Sequence, residues 1–158
     1  MKIIYKSIGL IRSSFKEPAG TPIQAAKSDA TGAIEIKAEY ADALLDLDGF
    51  SHIILIYHFH LAKTALQVKP FMDEQLHGSF AVRSPARPNN IGISIVRLDK
   101  VEDNVLFVSG LDIVDGTPLL DIKPFIPAMD HREVTRIGWL EKNIHKMDAI
   151  KDDGRFVK

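Results

Sequence analysis

The sequence predicts a mainly β domain, an antiparallel sheet or small barrel followed by one C-terminal helix. Three observations predict it. Strand-length apolar segments follow one another without a long helix between each pair, which argues against a doubly wound α/β fold. Two of them, Ile91 to Leu98 and Val105 to Val108, flank the polar turn Glu102-Asp103-Asn104 and read as an antiparallel hairpin. The clearest three-and-four spacing of apolar residues, the mark of a helix, lies near the end of the chain.

Residues 1 to 13 read as a strand with Ile4, Ile8 and Ile11 as core candidates, stopping near the turn signal Ser13-Ser14. Residues 16 to 31, rich in Pro, Ala, Gly and Ser, are a loop. In Gly32 to Lys37 the alternation puts Ile34 and Ile36 on one face of a strand. A short helical stretch over about Ala41 to Leu47 follows. Ile53-Ile54-Leu55-Ile56-Tyr57 is an unbroken apolar run of strand length, the pattern of a strand buried on both faces. From Lys69 to Asn90 the chain is rich in Pro, Gly and Arg and too long to be mere punctuation, and long loops in compact domains are often functional. Asp130 to Met147 is the helix, with Ile137, Leu140, Ile144 and Met147 on its stripe and Asp130 and Glu133 at capping-box spacing. The expected organisation is a barrel over 1–128, with a helix and tail over 129–158 packed on the same domain.

At 158 residues and 46% hydrophobic content the chain suits one core rather than two domains. Lys and Arg number 20 against 21 Asp and Glu, so any grip on a phosphate backbone must come from a local basic patch. There is no cysteine, which removes disulfides, thiolate nucleophiles and the usual zinc clusters. The first residues carry no signal-peptide stretch, and no window approaches the roughly 20 apolar residues of a membrane span. A soluble, cytoplasmic protein is the simplest expectation.

Nucleotide-binding motifs are missing. Gly9 stands alone where a Rossmann turn would need Gly-x-Gly-x-x-Gly, and neither a Walker A loop nor a Gly-x-Ser-x-Gly elbow occurs. His58 and His60 would share a strand face beyond His52, but His-x-His is weakly specific for metal, and strand-end histidines bonded to backbone or solvent explain it as well. No metal is expected. The segment Phe80 to Ser94 is denser. Pro85 and Pro88 bias Ser84 and Arg87 toward extended backbone and so fix where Arg83 and Arg87 point. Those planar forks suit a carboxylate or phosphate, or else they pair with the domain's own acids. In Leu111 to Pro124, three aspartates alternate with apolar positions around the turn Asp115-Gly116. They are either ligand acceptors or turn and capping residues.

Together the two segments resemble the TsaA-like family, also called TrmO or YaeB. Ile8-Gly9 with Arg12-Ser13, Pro22-Ile23-Gln24, Gly32, Phe50-Ser51-His52 and Phe59-His60 extend the likeness over about four-fifths of the chain. Ile23 stands where the family often has arginine, and Asn90 where proline is frequent. The resemblance implies a small β-barrel that forms a homodimer and binds S-adenosylmethionine near the subunit interface, outside the Rossmann class. It further implies methylation of N6 of threonylcarbamoyladenosine at position 37 of tRNA. Carried over by motif, the cofactor pocket comprises Gln24, Ala25, Ala26, Lys27, His60, Leu61, Arg83, Ile93, Ser109, Gly110, Leu111 and Asp112. Arg87, Asn89 and Lys123 are the expected RNA contacts.

Transfer from a sulfonium needs the acceptor in line with the departing sulfur, so positioning and exclusion of water carry most of the catalysis. The lone pair on N6 of adenosine is delocalised, and a group that takes its proton helps. Asp112, Asp115 and His60 are the candidates. Two alternatives remain open at this stage: a non-enzymatic S-adenosylmethionine-binding regulatory module, and a structural dimer using the barrel as an interaction surface.

Overall fold

A computed structural model describes residues 1–158. It contains eight strands: β1 (Gly9–Arg12), β2 (Thr31–Ile36), β3 (His52–His58), β4 (Gln67–Val68), β5 (His77–Gly78), β6 (Ile91–Glu102), β7 (Val105–Ser109) and β8 (Thr117–Pro124). Six of them close an antiparallel barrel in the order β1-β2-β7-β6-β3-β8, with β8 returning to β1. The remaining two, β4 and β5, form a separate ribbon inside the long irregular segment.

Alternation of side chains decides which face of each strand turns inward. On β3, Ile53, Leu55 and Tyr57 are buried while Ile54 and Ile56 stay half-exposed outside. The expectation of a strand buried on both faces is therefore corrected, since a barrel wall has only one interior. On β6, Gly92, Ser94, Val96 and Leu98 point inward and Ile91, Ile93 and Ile95 outward. The interior is filled by Ile11, Ile34, Leu55, Val96, Leu106, Val108, Leu111 and Leu119, and each fully buried aliphatic side chain contributes about 2 kcal/mol of transfer free energy. The hairpin read from the sequence is β6–β7. Its two-residue turn places Asp103 in the left-handed region, at φ 52°.

Three local expectations change. Only Gly9–Arg12 of the first segment is strand, its backbone bonding to neighbouring chain ending at Ile8; Ile4 lies outside the core at 78% exposure, whereas Ile11 is fully buried. The stretch expected to be helical near 41–47 is a pair of 3-10 turns, Ala38–Leu44 and Leu47–Gly49. The helix over 130–147 does not form. A four-residue helix, α1 (Pro127–Asp130), precedes it, and the Asp130 carboxylate reaches back to accept the Ile126 N–H at 2.7 Å instead of opening a new helix. Gly138 then takes φ 61°, a left-handed conformation that interrupts a right-handed helix, leaving 3-10 turns at Gly138–Lys142 and Ile144–Lys146.

The C-terminal segment nevertheless packs on the barrel's loops. Phe156 joins Val68, Val82 and Ala86 in a second apolar cluster, against which Phe71 and Trp139 lie. Bridges Pro22↔Lys151 and Ala62↔Val157 fix the tail at two places. No helix is long and apolar enough to cross a membrane.

Candidate functional site

Where β3 leaves the barrel and β6 enters it, Tyr57 faces Gly92 across the ladder. A Cβ on Gly92 would fall 2.3 Å from the Tyr57 ring and 2.8 Å from that of Phe59, so only glycine admits both rings, which meet edge to face at 5.1 Å. Above this pair a cavity of ≈ 230 Å³ opens. Its walls come from the 18–24 loop, Phe59 to Ala62, Pro70 to Met72, the arginine loop at 83–87, Ile91 to Ile93, Asp112 to Val114 with Thr117, and the C-terminal tail.

A polar chain runs from the barrel interior to this cavity. Ser94 Oγ donates to Asp112 Oδ1 at 2.6 Å, which leaves the Tyr57 hydroxyl, 3.0 Å from Ser94 Oγ, as donor to the serine. The order Tyr57→Ser94→Asp112 follows from proton count. Burial raises the Tyr57 phenol far above its usual value, with the Asp112 carboxylate adding to the effect, so the tyrosine remains a donor. Burial likewise pushes Asp112 up to about 6, opposed by the Ser94 hydroxyl and by backbone N–H groups. His60 shifts the other way: its own burial, then the neighbouring His58, lower its pKa and keep the ring neutral near pH 7.

Arg83 lines the cavity and forms no ion pair and no side-chain hydrogen bond within the protein. Arg87 also lines it, but Nη1 donates to the carbonyls of Val82 and Ser84 at 2.9 and 3.3 Å and so holds its own loop in shape. Neither arginine is answered by an acid of the domain, the alternative the sequence had left open.

Of the other residues read from the sequence, Gln24, His60, Leu61, Ile93 and Asp112 line the cavity. Ala25 is buried beside it, Ala26 is exposed, and Lys27 is turned away onto Asp148 at 2.6 Å. Ser109 donates to Asp99 on the outside of the barrel. Gly110 and Leu111 are scaffold: both N–H groups bond the Ala30 carbonyl, and the Leu111 carbonyl accepts the Ser28 hydroxyl, which anchors the 25–28 turn. Asp115 is not in the cavity. It accepts the Ser13 N–H at 3.1 Å and pairs with Lys16 at 2.9 Å, and these donors hold its carboxyl below the usual range. Asn89 is exposed on the arginine loop, and Lys123 is paired with Asp121 at 3.0 Å on the outer face of β8. No group of three or more His, Asp or Glu is placed to hold a metal ion.

Sequence reasoning missed Ser94, Tyr57, Phe71, Asp152 and Phe156. Tyr57 carried a signal as the last residue of an apolar run and Ser94 as the end of the Phe80 to Ser94 segment, without a role for either.

A closed antiparallel barrel with a cavity at one mouth, an unpaired arginine on its rim and a carboxylate fed by a hydroxyl chain defines a small-ligand-binding barrel. Comparisons narrow the class. The model of the tRNA-methyltransferase O N-terminal domain matches residues 10–131. A probable S-adenosyl-L-methionine-binding protein of Pyrococcus abyssi is 56% identical over 158 residues, covering 99% of this chain and 86% of that protein. Mouse tRNA (adenine(37)-N6)-methyltransferase is 35% identical over 137 residues, 81% of this chain but 32% of the mouse protein. The crystal structure of TrmO from Pseudomonas aeruginosa superposes with a TM-score of 0.73 at 37% identity, covering 88% of this chain and 63% of that one. This chain thus spans less than two thirds of the solved TrmO chain. It belongs to the tRNA-methyltransferase O N-terminal domain family.

Proposed function

We propose that the chain binds S-adenosylmethionine in the barrel-mouth cavity and transfers its methyl group to N6 of threonylcarbamoyladenosine at position 37 of tRNA. The carrying observation is the unpaired Arg83 guanidinium in the same cavity as the Tyr57→Ser94→Asp112 chain. The donor set fits the ligand: a free cation suits a carboxylate, aromatic rings suit a nucleobase and a sulfonium, and buried acids suit an ammonium or ribose hydroxyls. Bound there, S-adenosylmethionine would supply an electrophilic methyl group.

The rest falls to the protein. Arg83 holds the carboxylate end, and Gln24, His60, Leu61 and Ile93 line the cavity around the ligand. Asp112, ionised above about pH 6, takes the proton that the acceptor nitrogen sheds; a base with a pKa close to the working pH suits that role. Ser94 and Tyr57 position its carboxylate and stabilise its charge. RNA contacts fall on the rim of the arginine loop, where Arg87 and Asn89 stand, with Lys123 more remote on β8. We further propose a cytoplasmic homodimer. Ile93 and Ile95, 55% and 42% exposed, give the outer face of β6 an apolar surface at the cavity's edge, so a second copy laid there would stand next to the ligand.

Incubation with methyl-labelled cofactor and tRNA carrying threonylcarbamoyladenosine tests the activity. Label in the RNA, lost in Asp112→Ala, is the expected result. A second reading, a non-enzymatic S-adenosylmethionine-binding regulatory module, is favoured by the name given to the Pyrococcus relative, which mentions binding alone. Tight cofactor binding with unlabelled RNA would support it.

A further inference from the structure

One wall of the cavity lies beyond the family match, which ends at residue 131. Asp152, Phe156 and Val157 belong to it. The tail that carries them is laced to both sides of the mouth. On one side Gly20 N–H donates to the Asp152 carbonyl at 2.7 Å and Asp152 N–H to the Thr21 carbonyl at 2.9 Å. On the other, Lys63 N–H donates to the Phe156 carbonyl at 2.9 Å and Lys158 N–H to that of Leu61 at 3.0 Å. Phe156 is 5% exposed and meets Phe71 edge to face at 4.9 Å, while Arg155 Nη1 donates to the Pro70 carbonyl at 3.0 Å. These contacts tie the tail to both sides of the mouth and hold residue 152 at the cavity.

Two acids line the cavity, Asp112 and Asp152. Asp112 is engaged by Ser94. In Asp152, Oδ1 accepts the Gly154 N–H at 2.7 Å, but Oδ2 has no partner in the protein, and no cation is paired with the carboxylate. The neighbouring Arg155 is committed to Asp153, with a contact of 2.6 Å. Oδ2 is not sealed off from solvent, so in a half-buried carboxylate that lines the cavity it is the oxygen open to a donor entering there. Burial of the carboxylate, with Asp153 nearby, raises its pKa.

We propose that Asp152 is a ligand-contacting residue of the cavity, its free oxygen accepting a hydrogen bond from an ammonium or hydroxyl group of the bound cofactor, and that the 151–158 tail is the wall that presents it. The proposal rests on the S-adenosylmethionine reading of the cavity. In that ligand the donor is either the α-ammonium of the amino-acid end or a hydroxyl of the ribose.

Calorimetry on the full chain tests it, with S-adenosylmethionine and with methylthioadenosine, which keeps the ribose and lacks the amino-acid end. Asp152→Asn retains an acceptor for Gly154 and so preserves the turn, and Asp152→Ala removes both functions. Both variants should bind S-adenosylmethionine on the order of ten- to a hundredfold more weakly, as loss of a charged hydrogen bond requires, with the thermal midpoint of unliganded Asp152→Asn no lower than that of wild type. Methylthioadenosine affinity that falls in parallel identifies a ribose hydroxyl as donor; affinity that stays put identifies the ammonium. Binding of S-adenosylmethionine by Asp152→Asn within twofold of wild type, with Arg83→Ala still impaired, overturns the assignment of Asp152 alone. A wild-type chain that binds no S-adenosylmethionine overturns the cavity reading and this one with it.

Discussion

Replacing Asp112 with asparagine separates the stability of the fold from the chemistry of the site. A carboxyl raised from 3.8 to about 6 binds its proton more tightly in the folded than in the unfolded chain. The sign follows directly: the fold is favoured while Asp112 is protonated, below about pH 4, and loses stability as pH rises toward 6, after which the penalty is constant. At about 1.4 kcal/mol per pH unit the penalty at pH 7 is ~3 kcal/mol. Asparagine is neutral throughout and still accepts the Ser94 hydroxyl. Urea unfolding of both proteins at pH 4, 5, 6 and 7 should therefore show Asp112→Asn gaining on wild type by ~3 kcal/mol across that range while its methyl-transfer rate collapses. The reasoning is refuted if the stability difference between the two proteins is flat with pH.

Arg83→Ala removes the unpaired cation of the cavity, and calorimetry should show S-adenosylmethionine affinity reduced at least tenfold with the thermal midpoint unchanged, since no protein partner is lost. Gly92→Ala drives a methyl group into the buried Tyr57 ring; thermal melts should register a loss of about 1–3 kcal/mol, as overpacking of a filled site does. Ser94→Ala strands the Tyr57 hydroxyl and Asp112 Oδ1, at about 1–3 kcal/mol for each unsatisfied group, and removes a contact that holds the carboxyl down. The midpoint of the methyl-transfer pH profile should move upward from about 6.

How far the fold was legible depended on whether a segment's partners were close in sequence. The β6–β7 hairpin was read correctly because its turn residues and both alternating strands lie within one stretch of chain. β8 was seen only as part of a segment in which aspartates alternate with apolar positions around a turn, since its pairing with β1 and β3 is distant and leaves no local trace. The helix expected over 130–147 failed for a related reason. Its apolar spacing was genuine, but Gly138 takes a left-handed conformation, and Trp139 packs on the cluster formed by the 68–86 loop and Phe156, drawing the segment away from a continuous helix.

The site shows the same division at finer grain. Arg83, His60 and Asp112 could be singled out because each stands in a segment that carries the family resemblance. Ser94 ends one of these segments, but its role exists only through register. With Leu55 opposite Ser94 and Tyr57 opposite Gly92, the inward face of β6 offers a hydroxyl next to a glycine gap, and the Tyr57 ring fills that gap and reaches the hydroxyl. A slip of one residue would turn Ile93 inward and Ser94 to solvent, breaking the chain to Asp112 and filling the gap with a branched side chain. What forbids the slip is the apolar alternation Ile53, Leu55, Tyr57 against Val96 and Leu98, which belongs to the core and not to the site. The hydrophobic pattern therefore sets the geometry of the site, and repacking the barrel around Leu55 should disturb the titration of Asp112 as surely as changing its neighbours does.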